Sequence, residues 1–144
     1  MTTEPAPKTR LPVTMITAVA LVVAGLIAWL VWPSGSAGTT VLNSGAGPYN
    51  VRLSVDNPRL GTNSVTVDVS DATGAPAALK TVAVEPVMPL MGHALAPITA
   101  TAAGPGHYQA SAIVLPMSGQ WEFTVSLTGP AGAAQAVFPL LVTN

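Results

Sequence analysis

The sequence predicts an all-β domain behind a single apolar helix, and three observations carry that prediction. Apolar and polar residues alternate with period two in several stretches between Tyr49 and Val142. Turns rich in Gly, Pro and Asp interrupt these stretches at near-regular spacing. Ahead of them, Val13 to Trp32 runs for twenty residues without a charge.

At a rise of about 1.5 Å per residue, that first span covers about 30 Å, the thickness of a bilayer's hydrocarbon core. It is expected to form a transmembrane helix over 13–33, entered at Pro12 and closed by Trp29, Trp32 and Pro33. Lys8 and Arg10 precede it and no Lys or Arg follows until Arg52. Residues 1–12 then form a short cytoplasmic tail, and everything from Ser34 onward is extracytoplasmic. A cleaved signal peptide competes with this reading, because Gly35, Ser36 and Ala37 are small, but a signal's apolar region is shorter, about 7–15 residues. Ala20, Ala24 and Ala28 share one face of the helix, a stripe that would let another membrane helix approach.

Residues 34–47 are rich in Gly, Ser and Ala around a short Val41-Leu42 island and read as a flexible linker. The folded domain is expected over 48–144. Tyr49, Val51, Leu53 and Val55 alternate with polar residues, as do Val65, Val67 and Val69. Further strands are expected at 79–84, 94–102, 107–115, 120–127 and 134–142, with Trp121, Phe123, Val125 and Leu127 as the clearest inward face. Seven short strands joined by such turns suggest an immunoglobulin-like antiparallel β-sandwich.

Composition excludes several functions. Only 8% of the 144 residues are charged and the net charge is -1, which leaves no basic footprint for nucleic acid. The acidic residues are scattered, and there is no cysteine nucleophile, phosphate loop or recognisable Ser–His context. An enzyme is not expected. The apolar composition alone speaks for a small-molecule carrier.

One stretch stands apart chemically. Met88, Pro89, Leu90, Met91, Gly92 and His93 place two thioethers and an imidazole within six residues, a donor set whose softness suits Cu(I). A three-residue turn at Gly104-Pro105-Gly106 would pair positions whose numbers add to 210, setting His93 opposite Met117 and adding a third thioether. The same arithmetic puts His107 at the far end of that hairpin, as a surface or turn residue. The competing role for these methionines is gap-filling in an apolar core. Trp121 is expected either in the core or over a bound cation.

The segment from Pro86 to His93, the Gly104-Pro105-Gly106-His107-Tyr108 turn and the run from Pro116 to Trp121 resemble the FixH-type and YtkA-like domain family over about residues 50–128. That resemblance implies a small immunoglobulin-like sandwich outside the membrane, concerned with copper handling and with assembly of cbb-type haem-copper oxidases. By matching position, Met88, Met91 and His93 would be metal residues, with Met117 a fourth. The function expected from the sequence is thus a membrane-anchored copper-binding protein that buffers Cu(I) or delivers it to a membrane partner such as a copper transporter or haem-copper oxidase. The alternative is a structural or interaction module of a membrane complex in which the methionines pack.

Overall fold

The structure, a computed structural model, describes residues 38–144. They form ten strands: β1 (Thr39–Ala46), β2 (Tyr49–Asp56), β3 (Gly61–Asp71), β4 (Thr81–Met88), β5 (His93–Ala94), β6 (Ile98–Thr99), β7 (Thr101–Gly104), β8 (His107–Leu115), β9 (Gly119–Gly129) and β10 (Gly132–Val142). One sheet has the order β1-β2-β3-β8-β7 and the other β10-β9-β4-β5, with β6 also on β4.

Period-two alternation decides what is buried. In β2, Tyr49, Val51, Leu53 and Val55 point inward while Asn50, Arg52 and Asp56 stay in solvent. In β9, Trp121, Phe123, Val125 and Leu127 are buried, and in β10 so are Ala136, Phe138, Leu140 and Val142. These faces meet in one apolar core, where each fully buried large side chain contributes about 1.5–3 kcal/mol. Tyr108 is buried with its polar tip satisfied: its hydroxyl donates to the Ala77 carbonyl (3.0 Å) and accepts from the Leu79 N–H (2.8 Å). Asn63 is buried too, and its amide holds the turn before β3 through the Arg59 N–H and the carbonyls of Arg59 and Gly61.

Four expectations are corrected. The strand count is ten rather than about seven. Part of the increase comes from residues 39–46 of the stretch read as a linker, which form β1 because all eight pair with β2, from Thr39 opposite Asp56 to Ala46 opposite Tyr49. The rest comes from 94–102, expected as one strand, which breaks and changes sheets. His93 and Ala94 pair with Met88 and Val87, and Leu95 donates to the Pro86 carbonyl (2.9 Å). Pro97 has no N–H to donate. Pairing resumes at Ile98 and Thr99 on Val84 and Ala83, and Ala100 donates to the Val82 carbonyl (2.8 Å). Thr101 is already opposite Gln109 in the other sheet.

The fourth correction concerns the single-pass architecture. Among the described residues no helix is long and apolar enough to cross a membrane, and the one helical element is a three-residue 3-10 turn, Pro89–Met91. The expected helix over 13–33 lies outside the described residues. The bilayer as a partner and the single-pass placement, N-terminus cytoplasmic and domain extracytoplasmic, rested on that helix and gain no support from the structure.

Strand direction sorts the loops into two ends. The start of β1, the β2–β3 turn, the Met88–His93 loop, the β8–β9 turn and the end of β10 lie together at what we call the methionine end. The turns at 46–49, 71–80, 104–107 and 129–132 lie at the other.

Candidate functional site

The Met88–His93 stretch is a hairpin loop that closes β4 onto β5. Pro89 opens the 3-10 turn, where its fixed φ and missing N–H suit a first helical position. Gly92 closes it at φ 60°, ψ 27°, donating its N–H to the Pro89 carbonyl at 3.1 Å. That left-handed conformation favours glycine. Met88 and His93 are direct register partners across the hairpin, a relation that sets Cβ atoms about 4.5–5.5 Å apart.

The two methionines of the loop occupy opposite environments. Met88 is 5% exposed and belongs to the core, its methyl 3.5 Å from where a Cβ on Gly119 would stand. Met91 is 66% exposed and Leu90 87% exposed at the tip of the turn, and His93 is exposed beside them. Met117 is half-buried against the core, and its carbonyl accepts a hydrogen bond from Trp121 Nε1 at 3.0 Å. Trp121 itself is fully buried, which makes it a core tryptophan.

The register arithmetic holds for Thr101 with Gln109 and Ala102 with Tyr108, then shifts at Gly104 and His107. It does not extend back to His93, because the chain has changed sheets by Ala100. His93 therefore pairs with Met88 rather than Met117. Met117 still stands at the same end, carried there by the β8–β9 turn. His107 is at the opposite end of β8, in contact through Nδ1 with Asp68 Oδ1.

These placements correct the copper-delivery function. Among the described residues there is no group of three or more His, Cys, Asp or Glu side chains that could hold a metal ion. His93 is the one imidazole near the loop, and Met88 is committed to core packing. Copper binding and metallochaperone activity therefore do not follow from this geometry.

Sequence reasoning missed how apolar the methionine end is. Leu60, Leu90, Met91, Val114 and Leu141 are all exposed large hydrophobics there, whereas Val41 and Val137 lie further along their strands. The signal was faint: Leu60 lies in the β2–β3 turn and Val114 and Leu141 near the ends of β8 and β10, all distant in sequence. Only the sheet order gathers them.

No curated protein and no solved structure matches the chain. A family model described as YtkA-like matches residues 43–126. The match takes in β2 to β8 whole, most of β9, and the Met88–His93 loop. It spans more than half of the sequence, and the chain belongs to the YtkA-like family.

Proposed function

We propose that this chain is a non-catalytic interaction module that presents the tip of the Met88–His93 hairpin to an apolar surface on a partner protein. YtkA-like domains are non-catalytic structural or adaptor modules. The observation that carries the reading is the exposure of Leu90 and Met91, 87% and 66%, on a loop anchored by buried Met88. An exposed leucine on a strand needs no explanation. Two large apolar side chains adjacent at the apex of a turn, with Pro89 and Gly92 setting its shape, are different. They keep apolar area in water while the loop is held in one conformation, so little ordering entropy remains to be lost on docking. Methionine suits such a contact because its unbranched, polarizable chain adapts to the surface it meets. Met88 roots the loop in the core, and its register partner His93 borders the tip.

A photo-activated cross-linking residue at position 90 of the full chain, in its own cells, tests this. Position 131, in the β9–β10 turn at the other end, is the control. One discrete adduct from position 90, absent from position 131 and lost when Met91→Asp is added, is the expected result. The same adducts from both positions, or none from position 90, would sink the reading. An anaerobic Cu(I) titration of the full chain is the companion measurement: saturable binding abolished by Met91→Ala with His93→Ala would also overturn it.

A further inference from the structure

A second region lies away from the methionine end, on the outer face of the β1-β2-β3-β8-β7 sheet. Strand register places Asn43, Arg52, Asp68 and His107 in one continuous row across β1, β2, β3 and β8, since Asn43 is opposite Arg52, Arg52 opposite Asp68, and Asp68 opposite His107. In a chain of which 8% is charged, this row joins a cation, a carboxylate and an imidazole. A cavity of about 550 Å³ lies over it, within the range of about 300–1,000 Å³ typical of small-ligand sites. Its walls at one end are the turns carrying Gly74 and Pro76 and carrying Pro105 and Gly106. Those walls are fixed. Val69 donates to the Gly106 carbonyl at 2.8 Å, and a Cβ on Gly106 would stand 2.7 Å from the Val69 carbonyl oxygen, so the second turn is pressed onto β3.

The two opposite charges face each other across β2 and β3 and do not pair. Asp68 turns to His107, whose Nδ1 contacts Oδ1. That oxygen is buried, and among the described residues only the ring reaches it. Arg52 makes no side-chain hydrogen bond or ion pair among the described residues. A free guanidinium fork thus stands beside a carboxylate with its second oxygen uncommitted. The fork takes a carboxylate in bidentate fashion, and the free carboxylate oxygen takes an ammonium.

The geometry points to a binding site for a free α-amino acid, its carboxylate on Arg52 and its ammonium on Asp68. The zwitterion cancels both charges of the row. A dianion such as phosphate would meet Arg52 but also the negative Asp68, and a plain amine would meet Arg52 unfavourably. Asn43, Asn50 and Ser70 line the same cavity with amide and hydroxyl groups for the ligand's remaining polar atoms. The site is independent of the interaction surface proposed at the methionine end.

Calorimetric titration of the full chain with glycine, L-serine and L-glutamine tests the assignment. At least one should bind saturably. For L-serine, N-acetyl-L-serine, which lacks the ammonium, and L-serinamide, which lacks the carboxylate, should each bind at least tenfold more weakly. Arg52→Gln should weaken the amino acid at least tenfold without moving the melting temperature, while Arg59→Gln leaves binding unchanged. Flat titrations with all three amino acids overturn the proposal. So does equal binding of the blocked derivatives, or undiminished binding by Arg52→Gln.

Discussion

Met88 and Met91 stand three residues apart and differ in what their removal costs. Met88→Ala empties core volume beside Gly119 and should lower stability by about 2–4 kcal/mol. Met91→Ala removes an exposed side chain and should stay within about 0.5 kcal/mol. Urea denaturation of the two variants separates them, and equal losses would contradict the inward placement of Met88. Asp71 is a different case. Its carboxylate accepts from the Thr73 hydroxyl (2.6 Å), the Thr73 N–H (2.8 Å) and the Ala75 N–H (3.1 Å). The Thr73 hydroxyl is the chief cause of a pKa below the ordinary aspartate value, aided by the backbone N–H groups and opposed by slight desolvation. A depressed folded-state pKa means that the ionised form is favoured by folding. This contribution is complete above the unfolded value of about 3.9 and is lost as pH falls through the lower folded one. The melting-temperature gap between the native chain and Asp71→Ala should therefore be constant above about pH 5 and narrow below about pH 4. A gap that does not change with pH would count against these bonds to the charged form.

Single strands show where local pattern suffices and where it does not. β2, β9 and β10 were legible because Tyr49 to Val55, Trp121 to Leu127 and Ala134 to Val142 carry their own alternation. β1 was not. Its Gly, Ser and Thr residues have the composition of a tether, and only Leu42 and Ala46 turn apolar side chains toward the core. It is a strand because β2 offers it a complete ladder, closed at one end by the Thr39 hydroxyl donating to Asp56 Oδ1 at 2.7 Å. A chain starting at Gly47 should melt several degrees below one starting at Gly38, since about 1 kcal/mol shifts a domain of this size by about 4–8 °C. Identical melting temperatures would return residues 39–46 to the status of a linker. The break at Pro97 was partly legible, because a missing N–H must interrupt a ladder. The change of sheet beyond it was not.

At the scale of the whole domain, both candidate surfaces are assemblies of residues remote in sequence. The apolar methionine end draws on the β2–β3 turn, β8, β10 and the Met88–His93 loop, and the polar row joins β1, β2, β3 and β8. What the sequence by itself determined is local: the alternation that makes strands, the turns that separate them, the loop chemistry of Met88 to His93, and the motifs that mark the YtkA-like family. Each is written in residues within a few positions of one another. What only the tertiary structure decided is which strands are neighbours. The pairing of β3 with β8, and the transfer of the chain between sheets at Ala100, depend on packing two apolar faces over their full area. That choice buried Met88 and left Met91 in water, set His93 opposite Met88 instead of Met117, and brought Asp68 to His107 while leaving Arg52 without an ion pair among the described residues. Local periodicity carries no record of partner choice, because the same alternation would satisfy any neighbouring strand.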